Sequence, residues 1–430
     1  MTTEASSSPG APPIESGWAP KFFTVWTGQA LSLVGSALVQ FALVWWLTSR
    51  TGSATVLAGA TLMAVLPQIF LAPFVGALID RWKRRAIMIL ADAGIAVATG
   101  VLVWLFVSGR VQVWQIYALL FVRSLGGAFH GPAMAASTSL MVPERHLARV
   151  SGLNQTLQGL IMVFAPPLGA LLLGLMSTAS VLAIDIVTAV PAVGALLWIA
   201  VPDPPRREGQ AAGDAGPSSY WSDLRQGFRY VARWPGLQGL LLLSMLLNFL
   251  LVPASSLMPL LVMKEMGGGA PQLAMVETAF GVGVIAGGAL LGAWGGLRRR
   301  IHTTLVGVIG IGLGVILAGL TPAHAFFVLL IAFFWVGAAQ VFANGPLMAV
   351  FQSAVQPDMQ GRVFSLLAAG ATAMMPLGLL LAGPVADLLG VRVWYLFGGG
   401  ACALVACLAF FTPSILDVER NDREASAASP

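Results

Sequence analysis

The sequence predicts an all-α polytopic membrane protein, with 12 transmembrane helices in two pseudo-symmetric six-helix bundles. Three observations predict it: a scarcity of charge, a succession of long apolar segments and a weak internal repeat. Of the 430 residues, 57% are hydrophobic and 10% are charged, whereas a soluble chain carries about 25% charged residues. A chain this long with so little charge cannot cover a water-facing surface. The net charge of +5 would by itself invite a nucleic-acid partner. The basic residues instead flank the apolar runs, which fits lipid headgroups and leaves nucleic acid out.

Residues 1–20 are rich in Ser, Pro and Ala and have no apolar core, so they are expected to form a disordered cytoplasmic tail without the features of a signal peptide. The first apolar run, 22–47, is long enough to cross a bilayer. Eleven more follow, at 54–78, 86–106, 113–133, 152–175, 179–201, 237–262, 273–296, 303–321, 325–350, 364–389 and 393–412. With the N-terminus inside, 18 Lys and Arg fall on the cytoplasmic segments, 4 on the outer loops, and Arg123 within a span. The positive-inside bias therefore places both termini in the cytoplasm of a cytoplasmic (inner) membrane. The implied units are an N-terminal bundle over 21–202, a cytoplasmic linker over 203–235, a C-terminal bundle over 236–413 and a tail over 414–430. Within the linker, Trp221, Leu224, Phe228 and Val231 recur at helical spacing among Arg225, Arg229 and Arg233, the pattern of a helix lying on the inner leaflet.

The halves also resemble each other. Gly131-Pro132 in span 4 returns as Gly345-Pro346 in span 10, and Pro143-Glu144 with Arg149-Val150 as Pro357-Asp358 with Arg362-Val363. Pro167-Leu168-Gly169 in span 5 returns as Pro376-Leu377-Gly378 in span 11. Three matches in order, at offsets of 209 to 214, point to a parallel duplication of six helices.

Enzymatic chemistry finds no foothold. There is no phosphate-cradling G-x-x-x-x-G-K-[ST] loop, no nucleophile elbow and no H-E-x-x-H pair. Cys402 and Cys407 lie in one late apolar segment, and the four histidines are scattered, so neither disulfide, metal nor cofactor is expected. The strongest local motif is Gly76-Ala77-Leu78-Ile79-Asp80-Arg81-Trp82-Lys83-Arg84-Arg85, between spans 2 and 3. Its glycine permits close helix approach, its aspartate suits a neighbouring helix N-terminus, and its arginines suit acids or lipid phosphates. A plain topology anchor would need only the arginines.

That segment resembles the G-x-L-x-D-R-x-G-R-[RK] signature of the major facilitator superfamily, with Lys83 in place of the second glycine. Arg123-Ser124-Leu125-Gly126-Gly127 is similar to the family's R-x-x-x-G element, and Pro166, Pro167 and Gly169 to the G-P-x-x-G stretch of its antiporters. The stretch Phe22-x-x-x-Trp26-x-Gly28-Gln29-Ala30-x-Ser32-x-x-Gly35-Ser36 looks like the macrolide-efflux branch of the drug exporters. The resemblance covers 21–413. It implies two bundles around a central cavity, alternating access and proton-coupled export of amphipathic drugs. Gly76, Asp80, Arg81, Arg84 and Arg85 would then form a gate, with Asp80 against the start of span 11 near Arg362.

Independently of that resemblance, Gln29, Ser32, Ser36 and Gln40 share one face of span 1; Ser244, Asn248 and Ser255 share one of span 7; and Gln340 and Asn344 one of span 10. Amides are costly in hydrocarbon unless partnered or wet, so Gln29, Gln40, Asn248, Gln340 and Asn344 are expected to face a shared substrate cavity. The serines either join them or hold the bundle together. Asp92, Arg123, Asp185 and Glu277 are the ionisable residues within spans. Glu277 is the first candidate for the proton carrier, because span 8 should border the interface between the halves, although it also suits a rim residue. Asp92 either pairs with Arg123 or takes part in coupling, and Asp185 has no evident partner. The expected protein is a monomeric proton antiporter exporting macrolide-like compounds, its partners being a small-molecule substrate, protons and membrane lipids. Siderophore export, lysophospholipid flipping or a non-transporting membrane receptor or scaffold are the alternatives.

Overall fold

The structure is a computed structural model that describes residues 17–202 and 217–419. The expected N-terminal tail, apart from its last four residues, and linker residues 203–216 lie outside the described residues. The N-terminal bundle comprises α1 (Trp18–Thr51), α2 (Ala54–Arg81), α3 (Arg84–Val107), α4 (Val113–Met141), α5 (Glu144–Leu175) and α6 (Thr178–Trp198). After α7 (Pro217–Ala232), the second bundle comprises α8 (Pro235–Leu260), α9 (Ala270–Trp294), α10 (Arg300–Leu320), α11 (Phe326–Ala354), α12 (Pro357–Leu389) and α13 (Val391–Ala409), followed by the short α14 (Pro413–Leu416). A helix satisfies its own backbone polar groups, the condition for crossing hydrocarbon. Eleven of these helices are long and apolar enough to span a membrane. The remaining long one, α4, has 29 residues but an apolar run diluted by Arg123, Gly126, Gly127 and His130.

An even number of crossings brings both chain ends to one face, here called proximal; the opposite face is distal. At the proximal face the helices run beyond the predicted spans: α4 continues to Met141, α5 begins at Glu144 and α12 at Pro357. Hydropathy marks only the stretch that needs lipid, whereas the helix continues until the chain next turns. Residues 414–419 are not the loose tail expected of them. Ile415 and Val418 are buried, and Gly236 and Gly239 of α8 leave the room they fill. The linker helix α7 is also more than a surface float. Val231 is buried, and Gly227 backs onto the Arg362 carbonyl of α12, while Arg225, Phe228 and Arg229 stay exposed.

Glycine sets how closely the second bundle packs. Gly312 of α10 and Gly399 of α13 face each other so tightly that a Cβ on either would lie 2.7 Å from the other's carbonyl oxygen. Gly283 of α9 and Gly337 of α11 do the same against the Phe334 and Phe280 carbonyls. Small residues allow this backbone contact where no hydrophobic force separates helix from lipid. As a result α10 is the most enclosed span, with 67% of its most apolar stretch buried.

The two bundles meet at their distal ends. Asp387, near the end of α12, accepts hydrogen bonds from the Ala54 amide (2.7 Å), the Thr55 amide (2.9 Å) and Ser53 Oγ (2.8 Å) at the start of α2. Gly383, one turn earlier, lets α12 close onto Thr55 and Ala58. Deeper in, Thr61 and Ser256 hydroxyls lie 2.7 Å apart across the interface, and Thr278 Oγ1 donates to the Val163 carbonyl (3.2 Å). Proximally, residues 151–156 of α5 are all exposed, and their one described side-chain hydrogen bond to another helix, Trp26 Nε1 to Asn154 Oδ1 (2.7 Å), comes from α1 of the same bundle. Closed distally and open proximally, the molecule has a defined access.

An anion at an exposed helix N-terminus contributes about 1 kcal/mol, so Asp387→Ala should shift the balance of distally closed and open forms about fivefold. A cysteine introduced at Ala58, which is buried in this seam, should react correspondingly faster with an impermeant maleimide supplied from the distal side. An unchanged rate would show that Asp387 does not hold the seam.

Candidate functional site: two polar chambers

Two cavities contain almost all of the polar side chains singled out above. The larger, about 700 Å³, lies between the bundles. Gln40 of α1, Asn248 and Ser255 of α8, Glu277 of α9 and Gln340 and Asn344 of α11 line it, on a wall made mostly of aliphatic and aromatic groups such as Phe41, Phe280, Phe333 and Tyr395. Tyr395 is held by donating its hydroxyl to the Ala254 carbonyl (2.6 Å). Glu277 is the only ionisable acid or base in this lining apart from that tyrosine. Pro166 of α5 is part of the wall, while Gly169 lets α5 pack onto the Phe41 ring and Pro167 faces outward. Ser244 does not reach the cavity: it is buried, its hydroxyl donating to the Leu240 carbonyl (2.9 Å) of its own helix.

The smaller chamber, about 340 Å³, lies within the N-terminal bundle between α1, α3, α4 and α6. Ala37 and Gln40 line both cavities, making it a side chamber of the larger one. Gln29, Ser32 and Ser36 face this chamber and not the central space expected for Gln29. The helical pitch explains the split. Positions 29, 32 and 36 lie deeper toward the proximal half, where α3, α4 and α6 surround α1; one turn on, Gln40 reaches the interface.

The charge pairing differs from the expected one. Arg123 pairs with Asp185, Nη1 to Oδ2 at 2.5 Å, and not with Asp92. Thr99 donates to Asp185 Oδ2 (3.0 Å), Ser36 Oγ to Oδ1 (3.0 Å), and Arg123 Nη1 also reaches Thr99 Oγ1 (3.1 Å). The sequence offered Asp185 no partner because α6 follows α4 by sixty residues; Gly28 and Gly35 of α1 permit the approach, the Cβ of either being barred by α6. Asp92 instead accepts from Gln29 Nε2 (2.9 Å). His130 Nε2 stands 3.4 Å from Asp92 Oδ1, within ion-pair distance but without hydrogen-bond alignment, so this buried nitrogen has no hydrogen bond. Sequence reasoning missed His130, although it lies seven residues after Arg123 on the same face of α4.

The gating motif is described only in part: the side chains of Gly76, Asp80 and Arg81 lie outside the described residues. Its last two arginines turn inward to their own bundle. Arg84 is buried and donates to the Ala136 carbonyl (2.7 Å), and Arg85 donates to the Leu196 and Leu197 carbonyls at 2.5 Å each. These are the last, otherwise unpaired carbonyls of α6, where a cation is favoured. Among the described residues no group of His, Cys, Asp or Glu could hold a metal.

Two pseudo-symmetric bundles around a cavity open at one face define a transporter fold. The Major Facilitator Superfamily model matches residues 25–379, and the chain belongs to that family. It is therefore a multi-pass membrane transporter and not an enzyme. It is 35% identical over 405 residues to macrolide efflux protein A of Streptococcus pyogenes, a match covering 94% of this chain and 98% of that one. It is 27% identical over 400 residues to the multidrug efflux pump Tap of Mycobacterium bovis, covering 87% and 89%. Among solved structures it resembles the nucleoside transporter NupG (D323A mutant), with a TM-score of 0.71 at 12% identity, covering 91% of this chain and 99% of that one.

Asp185→Asn should leave Arg123 uncompensated in a low-dielectric interior, at a cost of about 3–5 kcal/mol. The detergent-solubilised protein should melt markedly lower, and adding Arg123→Gln should restore part of the loss. Asp92→Asn, by contrast, should melt close to wild type, because its neighbours are an amide and an imidazole.

Proposed function

We propose that the protein exports amphipathic, macrolide-like compounds by alternating access, driven as a proton antiporter, from a cytoplasmic membrane with the proximal face inside. The observation that carries this reading is the lone Glu277 carboxylate in a mostly apolar central cavity whose lining includes a few neutral polar groups but no Lys, Arg or His. A volume of about 700 Å³ is of the size ligand cavities have. Aliphatic and aromatic walls favour a bulky hydrophobic body without demanding one shape, and Gln340, Asn344 and Asn248 offer hydrogen bonds at several heights. An uncompensated carboxylate in such a wall favours an organic cation, such as the protonated amine of an aminosugar. The likeness to macrolide efflux protein A supports the same class of substrate. The basic residues on the proximal loops support a cytoplasmic proximal face, and the distally closed form then corresponds to a cavity open to the cytoplasm. This reading gives Glu277 to the substrate's charge and releases it from the role of first candidate for the proton.

Glu277→Gln should lose export of cationic macrolides such as erythromycin at least tenfold, while a neutral dye of similar size is exported near the wild-type rate. Uptake into inside-out vesicles, with and without a proton gradient, reads both arms. Equal loss for the neutral and the cationic compound would remove the electrostatic role. Gln340→Ala and Asn344→Ala should alter the ranking among substrates without lowering the melting temperature, as ligand-binding assays on purified protein would register.

A further inference from the structure

The side chamber contains an imbalance of charge that the central cavity does not explain. The titratable or charged groups facing it are Asp92 from α3, Arg123 and His130 from α4, and Asp185 from α6; α1 contributes only amide and hydroxyl groups. Arg123 and Asp185 cancel at 2.5 Å. Asp92 remains, 6% exposed, with one amide donor from Gln29 and His130 Nε2 at 3.4 Å. An ionised carboxylate buried with a single neutral donor is poorly compensated, since burying an unpaired charge costs several kcal/mol. The imidazole beside it is the one group of the chamber that can accept a proton without giving up an existing partner of that nitrogen. Its buried Nε2 has no hydrogen bond and lies within ion-pair distance of Asp92 Oδ1, so a small rotation of either side chain would bring the two into line.

Resting on the antiport reading above, we propose that Asp92 and His130 form the proton-binding site of the transporter, taking up one proton between Nε2 and Oδ1. Binding that proton converts the pair from a net charge of one negative to zero, so the protonated chamber tolerates closure and dehydration, whereas the unprotonated one favours water. Because Ala37 and Gln40 are common to both cavities, the proton site adjoins the substrate cavity without occupying the substrate's place. Gln29 is a positioning residue: it fixes the Asp92 carboxylate so that Oδ2 is occupied and Oδ1 faces the histidine. No bond other than N–H is made or broken, and the proton comes from the gradient itself.

The test uses the full-length protein in liposomes with erythromycin as probe. Two processes are compared: accumulation driven by an imposed pH difference, and gradient-free exchange of labelled for unlabelled erythromycin. His130→Gln and Asp92→Asn should each reduce driven accumulation at least tenfold and leave exchange within about twofold of wild type. Proton displacement, read by calorimetry in buffers of different ionisation enthalpy at pH 6 to 8, should fall to near zero in His130→Gln. Driven accumulation that survives in His130→Gln overturns the assignment and leaves antiport standing. Loss of exchange along with accumulation in both variants overturns it too, by making the pair structural. A wild type that ignores the pH difference overturns the antiport reading and this site together.

Discussion

A charge at mid-depth in hydrocarbon has to be met by another, and the pairing of Arg123 with Asp185 is where that requirement shapes the N-terminal bundle. The pair joins α4 to α6, and the groups that complete it, Ser36 and Thr99, come from α1 and α3. Four of the six helices therefore converge on one carboxylate. The side chamber exists because these polar groups cannot be packed as densely as aliphatic ones without leaving some of them unsatisfied. Asp92 and His130 occupy the same chamber, but neither can draw on the arginine already committed to Asp185.

The second bundle is built on the opposite principle. Its spans contain few charged groups and meet through glycine, backbone against backbone, along α9–α11 and α10–α13. Its contributions to the central cavity are amides, Glu277 and aromatic wall. One half thus provides a partly polar interior in which protonation can matter, and the other a tight frame with a permissive lining. Asp387 and the start of α2 join them at the distal rim, where the exposed carboxylate meets two backbone amides and a hydroxyl.

Much of this architecture was legible in the residues. Apolar run length marks the spans, and the repeat around Gly131-Pro132 and Gly345-Pro346 marks the two halves. Gln40, Asn248, Gln340 and Asn344 share the central cavity because helical periodicity fixes which positions share a face. What periodicity cannot fix is which neighbouring helices surround a position at its depth in the bundle, and there the fold differs from the sequence reading. Gln29 belongs to the side chamber, and Arg123 pairs with Asp185 rather than with the nearer-seeming Asp92; the serines, left open by the sequence, divide between the side chamber (Ser36) and a bond within their own helix (Ser244). The family resemblance made Arg84 and Arg85 parts of a gating motif; in the fold Arg84 donates to the Ala136 carbonyl of α4 and Arg85 to the last carbonyls of α6. Asp387 carried no local signal, since its partners are backbone amides over three hundred residues away.

The glycine seams have a consequence for how such a protein diversifies. At Gly312 and Gly399 any side chain would push two helices apart, so these columns of the structure admit almost no inherited variation. The central wall is different, since its amides and the partly exposed aliphatic groups among them face open space on one side. A lineage can therefore rewrite the cavity lining residue by residue while the helix frame around it stays frozen.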